Sequence, residues 1–138
     1  MYLLDTDILS NLIKRRPNPA LEAKLRTVPR EHQQTASITV GELGYGAHRA
    51  HPHTVTILQR QHARLQGNVT VVPFDEAAAR VYGALRAALE RRGTPLAEPD
   101  LRIAAIALAN NLTLITGNVR HFARVPGLRV ENWLAPAN

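Results

Sequence analysis

The chain contains no cysteine, only 4% aromatic residues, and no apolar run that approaches the roughly 18 residues of a membrane-spanning helix. Without cysteine, disulfides, cysteine–zinc sites and thiol catalysis are excluded, and a reducing compartment is favoured. Met1 is followed by a short apolar segment that ends in an acid, instead of the basic region of a secretory signal. We therefore expect a cytoplasmic protein that does not associate with membranes.

The length and composition fit one folded domain. The 138 residues are 45% hydrophobic and 20% charged, which is enough to bury a core without disulfides. The sequence has no internal repeat, no low-complexity tract and no stretch of proline and glycine that resembles an interdomain linker. A single domain over residues 1–138 is the prediction.

The charge is strongly basic. There are 17 Lys and Arg residues against 11 Asp and Glu, which gives a net charge of +6. Because Lys14 and Lys24 are the only lysines, the other 15 of the 17 are arginines, which suit bidentate contact with phosphate. This balance favours a polyanionic partner such as nucleic acid. An arginine-rich proteome or a hot habitat would give the same composition.

Hydrophobic periodicity predicts strands that alternate with helices. The predicted strands cover residues 2–4, 35–38, 69–74, 112–116 and 128–130. The predicted helices cover residues 8–16, 20–28, 40–50, 54–65, 75–93 and 100–109, and the last of these has almost no polar face. The strands are too far apart for hairpins, so an α/β architecture is expected, with helices on both faces of a parallel sheet. Active sites in such folds lie beyond the carboxyl ends of the strands.

Oxygen-bearing side chains collect at that predicted edge. They follow strands or open helices, and they are Asp5, Asp7, Glu42, Glu98, Asp100, Thr116 and Asn118. Without cysteine, a set of oxygen donors from separate segments favours Mg²⁺ or Mn²⁺. Carboxylates held close together repel, which raises their pKa values until a cation relieves the repulsion. We therefore expect either ion to raise thermal stability.

Each acid also has a purely structural interpretation. Asp5 or Asp7 can cap the first helix, and the segment from Thr39 to Glu42 matches a capping box. Asp100 follows a proline at a helix start, where the helix dipole favours a carboxylate, and Glu98 fits an exposed or capping residue. The functional interpretation depends on the coincidence that all these acids meet at one edge of the sheet.

The histidines and aromatic residues give weaker signals. The six histidines form no metal motif, since Pro52 interrupts the segment that holds His48, His51 and His53. His121 follows Asn118 at the predicted active edge, where it fits either phosphate contact or support of the fold. The aromatic residues fit the core or a partner surface better than a base-stacking platform. They are Tyr45, Phe74, Tyr82, Phe122 and Trp133.

Three segments give the chain a family resemblance. They are LLDTDILSNLI at residues 3–13, SITVGELGYGA at residues 37–47, and PDLRIAAIALANNLTLITGNVRHFARVPGLRVENW at residues 99–133. With these segments the chain resembles the PIN-domain ribonucleases, specifically the toxins of VapBC-type toxin–antitoxin pairs. The resemblance runs nearly end to end. It implies a PIN-like, Rossmann-like three-layer α/β/α sandwich around a mainly parallel sheet of about five strands.

The resemblance also implies a site and an activity. The activity is endonucleolytic hydrolysis of RNA by a carboxylate-held Mg²⁺, or Mn²⁺ in its place, that activates water. The catalytic acids that bind the metal are, by motif, Asp5, Glu42 and Asp100. Asn118 stands where many relatives carry a fourth acid, so a second metal position is in question. Residues that would contact the ion through water are Thr116, Asn118, Asp7 and Glu98.

Partners follow from the resemblance and from charge. The resemblance implies a homodimer and a cognate VapB-type antitoxin whose C-terminal segment lies in a groove near the acids. The side chains that could grip the RNA backbone are Arg15, Arg16, Arg91, Arg92, Arg120 and His121. Arginines at helix ends also interact favourably with the helix dipole, so a structural role explains several of them equally well.

Two other functions fit parts of the sequence. The segment Asp5-Thr6-Asp7 resembles the nucleophile motif of haloacid-dehalogenase-type phosphatases, but both lysines lie too early for the lysine that such enzymes need. A PIN-like domain that binds RNA or antitoxin with weakened catalysis would fit Asn118. Cleavage of RNA that EDTA abolishes would separate the nuclease from both alternatives.

Overall fold

A five-stranded sheet forms the centre of the molecule. The computed structural model describes residues 1–50, 60, 63 and 69–136. The strands are β1 (Tyr2–Leu4), β2 (Gln33–Ala36), β3 (Thr70–Val72), β4 (Thr113–Ile115) and β5 (Val130–Glu131). They lie in the order β3-β2-β1-β4-β5, and every neighbouring pair is parallel. The predicted α/β fold with a parallel sheet of about five strands is therefore confirmed.

Helices connect the strands. Among the described residues they are α1 (Thr6–Leu12), α2 (Pro19–Arg26), α3 (Ser37–Arg49), α4 (Glu76–Arg91), α5 (Glu98–Ala109) and the short α6 (Val119–Phe122). A 3₁₀ turn at Arg30–His32 precedes β2. The predicted helix over residues 54–65 lies largely outside the described residues, as do His51 and His53. No helix in residues 1–50 or 69–136 is both long and apolar enough to cross a membrane.

The core has two layers, one on each face of the sheet. Leu3 and Leu114 belong to one buried cluster, whereas Leu4 and Ile115 belong to the other. Neighbouring residues of a strand point to opposite faces, so each central strand contributes to both clusters. Helices α4 and α5 pack on the first cluster, and α1 and α2 pack on the second. This arrangement confirms the three-layer sandwich.

Helix α5 is the most buried helix among the described elements. Its residues 103–107 are completely buried, which the nearly continuous apolar sequence predicts. It begins at Glu98 and carries its acids in the first turn. The helix thus anchors Asp100 on a rigid element while its apolar residues fill the core.

Two predicted helix boundaries are wrong. Helix α1 ends at Leu12, so Arg15 and Arg16 lie in the turn that follows it. The turn is held because the Asn11 side chain accepts a hydrogen bond from the Asn18 N–H at 2.8 Å. Helix α3 begins at Ser37, three residues earlier than predicted. The predicted capping box is therefore wrong, because Thr39 lies inside the helix and is buried.

Two strands are displaced from their predicted positions. Strand β2 begins at Gln33 and β5 begins at Val130, each two residues away from the predicted start. Gln33 is polar, but its side-chain amide donates to the carbonyl oxygens of Leu25 and Val28. Tertiary hydrogen bonds thus allow a polar residue to begin a strand inside the sheet, which an apolar pattern does not predict.

Candidate active site

The carboxyl ends of β1 and β4 bring Asp5 and Thr116 together. These strands are neighbours in the sheet, and the Asp5 N–H donates to the Ile115 carbonyl at 2.9 Å. The Thr116 hydroxyl donates to Asp5 Oδ2 at 2.8 Å. Asp5 is only 5% exposed, and Thr116 is completely buried. The end of the central strand pair therefore holds a carboxylate in a fixed orientation.

Asp5 also begins helix α1. Its Oδ1 accepts a hydrogen bond from the Thr6 N–H at 2.8 Å, so the side chain is the helix N-cap. The predicted capping role of Asp5 is therefore confirmed, and the same carboxylate also lies at the carboxyl ends of β1 and β4. Each carboxylate oxygen accepts one hydrogen bond in the structure, which leaves each with a further lone pair.

Asp7 lies next to Asp5, two residues along the chain. Its Oδ2 accepts a hydrogen bond from the Gly117 N–H at 2.8 Å, and its Oδ1 lies 3.4 Å from the Thr116 hydroxyl. A Cβ on Gly117 would lie 2.9 Å from Asp7 Oδ2 and 2.9 Å from Leu134 Cδ1. The absence of a side chain at this position therefore lets the backbone bind Asp7 directly.

Glu42 reaches the site from helix α3. The Thr6 hydroxyl donates to Glu42 Oε1 at 2.6 Å and lies 3.1 Å from the Thr39 hydroxyl. Because Thr6 is adjacent to Asp5, this contact brings Glu42 to the start of α1. The glutamate does not reach back to a helix cap, which is the role that a capping box would give it.

Asp100 projects from the first turn of α5. His121 Nε2 lies 3.0 Å from Asp100 Oδ2, within hydrogen-bond distance. His121 belongs to the short helix α6, which follows Asn118. The sequence left two roles open for His121, which are phosphate contact and support of the fold. In the structure its ring contacts the carboxylate of Asp100.

Burial raises the pKa values of two of the acids, and repulsion from neighbouring carboxylates adds to the effect at Asp5. Burial, together with the negative charges of Asp7 and, to a smaller extent, Asp100, raises the pKa of Asp5 to about 7. Hydrogen bonds from Thr116 and Thr6 act in the opposite direction. Burial also raises the pKa of Asp7, against the hydrogen bond from Gly117. When no cation is bound, ionisation of these buried acids therefore lowers the stability of the folded protein.

The acids do not form a closed metal cage. Within residues 1–50 and 69–136, no three acidic or histidine side chains lie close enough together to hold an ion as they stand. Hydrogen bonds hold Glu42 on Thr6 and Asp100 on His121. The donor set is nevertheless composed of carboxylate and hydroxyl oxygens, which suit a hard divalent cation.

Glu98 contacts a different group of residues. Its carboxylate accepts a hydrogen bond from the Tyr82 hydroxyl at 2.7 Å and forms ion pairs with Arg86 and Arg102, each at 3.3 Å. The side chain is about half exposed on the surface between α4 and α5. The structure therefore does not bring Glu98 together with the other acids.

The remaining predicted residues are exposed. Asn118 lies at the start of α6, where its N–H donates to the Thr116 hydroxyl at 3.0 Å. Arg120 follows on α6 beside His121, whereas α1 leads away from Asp5 toward Arg15 and Arg16. Arg91 is the last residue of α4, and Arg92 is its cap. Of the five arginines, only Arg120 adjoins a residue that contacts one of these acids.

Comparison with known protein families matches residues 2–128 to the PIN domain. The chain belongs to the PIN-domain family. It is 34% identical to "Ribonuclease VapC2" of Haemophilus influenzae, over 96% of this chain and 98% of that protein. It is 35% identical to "tRNA(fMet)-specific endonuclease VapC" of Salmonella typhimurium, over 96% of this chain and 97% of that protein. These matches place this PIN domain with the VapC proteins.

A solved structure supports the same assignment. The fold matches a chain in the crystal structure of VapBC2 from Rickettsia felis bound to a DNA fragment from the promoter, with a TM-score of 0.88 and 30% identity. The match covers 96% of this PIN domain and 98% of that chain. The predicted resemblance to VapC-type PIN domains is thus confirmed.

The sequence did not predict several contacts that position the acids of this PIN domain, although His121 was already a candidate at this edge. Thr6 binds Glu42, His121 binds Asp100, and the Gly117 N–H binds Asp7. The glycine had a local signal, because it lies between Thr116 and Asn118 at the end of a predicted strand. The contact between Thr6 and Glu42 had none, because 36 residues separate them in the chain.

We expect Gly117→Ala to destabilise the PIN domain by about 1–3 kcal/mol, because the added methyl group would push against Asp7 and Leu134. Chemical unfolding in urea measures this change. The control is Gly83→Ala in α4, where nothing lies within 4 Å of the added Cβ. That substitution should stabilise the helix by about 0.5–1 kcal/mol. Equal stability of the two variants would contradict the close approach at Gly117.

Proposed function

We propose that this PIN domain is an endoribonuclease that depends on Mg²⁺ or Mn²⁺, and that it is the toxin of a toxin–antitoxin pair. The observation that carries the proposal is the group of acids around Asp5, where burial and neighbouring negative charges raise its pKa. Such a group at the carboxyl edge of a parallel sheet fits cation-assisted phosphodiester chemistry. The names of the relatives, ribonuclease and tRNA-specific endonuclease, support the choice of RNA.

The residues that would hold the cation are Asp5, Glu42 and Asp100, with Thr116, Asn118 and Asp7 in contact through water. A bound divalent cation lowers the pKa of water and neutralises charge on a phosphate. Thr116 fixes one oxygen of Asp5, and His121 fixes one oxygen of Asp100. These hydrogen bonds orient the carboxylates before any ligand arrives, which reduces the entropy lost on binding.

Charge supports an RNA substrate. The net charge of +6 attracts a polyanion, although the site itself is acidic. Arg120 is exposed one residue from His121, which suits contact with a phosphate close to the acids. Arg15, Arg16, Arg91 and Arg92 are also exposed and would bind more distant parts of the RNA backbone.

The partner would be a VapB-type antitoxin. One structure with the same fold is that of VapBC2 from Rickettsia felis, and another is that of VapBC-1 from nontypeable Haemophilus influenzae. The proposal includes a homodimer and a location in the cytoplasm, where RNA substrates are present. An antitoxin that lies across the acids would inhibit cleavage by excluding the substrate.

The test of this function is metal-dependent cleavage of RNA by the purified protein. We expect end-labelled single-stranded RNA to be cut internally with Mg²⁺ or Mn²⁺, and to stay intact in EDTA. Excess Mn²⁺ added after EDTA should restore cleavage, which separates loss of the cation from loss of the fold.

Two outcomes would favour the alternatives. Binding of RNA without cleavage in either ion would indicate the catalytically weakened domain. Hydrolysis of a small phosphate ester, with the RNA left intact, would indicate a phosphatase that uses Asp5 and Asp7. Cleavage that continues unchanged in EDTA would contradict the role of the cation.

A further inference from the structure

A cleft of about 530 Å³ lies beside the acids, between α3 and the start of α5. Its volume falls in the range of roughly 300–1,000 Å³ that is typical of small-ligand sites. The lining residues are Ser37, Ile38, Gly41, Glu42, Tyr45 and Pro99. Glu42 belongs both to the cleft and to the proposed site, and Pro99 directly precedes Asp100. The cleft therefore shares Glu42 with the proposed site.

Tyr45 is the unusual residue in this cleft. Tyr45 is 66% exposed, so of the core and the partner surface predicted for the aromatic residues, the core is excluded for this one. Aromatic side chains are scarce in this chain, and exposure of a large ring leaves apolar surface in contact with water. The ring lines the same cleft as Ile38 and Pro99.

Arg49 adds a positive charge next to the ring. Its guanidinium carbon lies 5.4 Å from the centre of the Tyr45 ring, in a cation–π arrangement. Arg49 is exposed and lies one helical turn after Tyr45 on α3. The cleft thus combines an aromatic ring, which carries a guanidinium group beside it, with the apolar side chains of Ile38 and Pro99 and the carboxylate of Glu42.

We infer that this cleft binds an unpaired base of the RNA, stacked on Tyr45, while the adjoining phosphodiester lies at the acids. The inference rests on the proposed ribonuclease function. Every base has an aromatic face, so stacking on tyrosine binds single-stranded RNA with little dependence on sequence. Arg49 complements the charge of the neighbouring phosphate, and Ile38 with Pro99 excludes water from the stacked base.

This assignment gives Tyr45 a role in substrate binding. Tyr45→Ala should raise KM for a short single-stranded RNA about tenfold and change kcat little, because the lost stacking does not involve the reacting atoms. Tyr45→Phe should keep the wild-type KM, since the ring is retained. Both variants should fold, because the side chain is mostly exposed.

A second pair of variants tests the cleft independently of the ring. Gly41 lines the cleft, and nothing lies within 4 Å of a Cβ added there. Gly41→Leu should fill the cleft and raise KM by a similar factor. Gly46→Leu is the control, because Gly46 lies on the same helix, has the same open surroundings and does not line the cleft.

Abasic nucleotides identify the contact directly. When the base at one position of the RNA is removed, Tyr45→Ala should cause no further rise in KM for that substrate. At other positions the abasic nucleotide and the substitution should act independently, so that their factors on KM multiply. Independent effects at every position would overturn the inference.

The outcomes separate this inference from the proposed function. If the protein cleaves RNA but Tyr45→Ala and Gly41→Leu keep the wild-type KM, the base site is wrong and the ribonuclease stands. If neither Mg²⁺ nor Mn²⁺ supports cleavage, both proposals fail. Sedimentation measures the oligomeric state of each variant. If KM changes only in variants whose oligomeric state changes, the cleft is a protein interface and the base site is wrong.

Discussion

Asp5→Asn is expected to abolish RNA cleavage, with a fall in kcat of at least about a thousandfold, while the protein without bound metal becomes more stable. A thousandfold loss corresponds to about 4 kcal/mol of transition-state stabilisation, which is the scale expected from removal of a charged ligand at a catalytic cation. Asp5 is the acid on which the interactions of the site converge, because Asp7, Thr116 and Asp100 all influence its ionisation.

The gain in stability follows from the burial of this charge. At neutral pH the folded protein must hold a buried carboxylate next to Asp7, or else bind a proton. Asparagine retains a side-chain oxygen that can accept from the Thr6 N–H, and it is a good N-cap residue. Its amide can donate to the Thr116 hydroxyl. We therefore expect the free energy of unfolding to rise by roughly 2–4 kcal/mol near pH 8.

Asp75→Asn is the matched control for this substitution. Asp75 is also the N-cap of a helix, where its side chain accepts a hydrogen bond from the Ala78 N–H at 3.0 Å. It is exposed, and this hydrogen bond joins it to its own helix α4 instead of to the acids around Asp5. This variant should keep the wild-type cleavage rate and stability. Full cleavage by purified Asp5→Asn would refute the assigned role of Asp5.

Without metal, the wild-type protein should lose stability as the pH rises from about 4 to about 7. The pKa of Asp5 lies near 7 in the folded protein and near its ordinary value of 3.8 in the unfolded chain. Between these values the folded state holds a proton that the unfolded state has released, so the free energy of unfolding falls with increasing pH. The fall contributed by Asp5 is about 4 kcal/mol, and the raised pKa of Asp7 adds in the same direction.

Urea unfolding in EDTA over this pH range measures the effect. The difference between the free energies of unfolding of wild type and Asp5→Asn isolates the contribution of Asp5 and its coupling with Asp7 and Asp100. The acids that do not interact with Asp5 contribute equally to both proteins. Mg²⁺ or Mn²⁺ should restore most of the lost stability above pH 7 and little at low pH, where protons compete for the carboxylates. A difference that does not vary with pH would contradict the raised pKa.

Much of the fold could be predicted from local patterns. The strand ending at Asp5, the helix opened by Asp75 and the buried helix after Ala97 all lie near their predicted positions. These elements have strong hydrophobic periodicity or clear caps, which act over a few residues. Strand β2 begins earlier than predicted because its polar first residue is stabilised by carbonyls of the preceding segment, and no local pattern contains that information.

The exposure of Tyr45 illustrates the same limit. Scarcity of aromatic residues favours burial on average, and Phe122 and Trp133 are indeed buried. Tyr45, by contrast, is 66% exposed and lines a cleft between α3 and the start of α5. Composition cannot distinguish among individual aromatic residues, since burial is a property of the assembled fold.

The amino-acid pattern was sufficient to predict that Asp5 and other acids gather at one edge of a parallel sheet, because strands that all run in one direction end on the same side. It was not sufficient to predict how those acids are held, which is Glu42 by Thr6, Asp100 by His121, and Asp7 by the Gly117 N–H. Each of these hydrogen bonds joins residues from separate elements. Their geometry depends on the distances between packed helices and strands. The same packing decides which acids join the group, because Glu98 was predicted at this edge but contacts Tyr82, Arg86 and Arg102 instead.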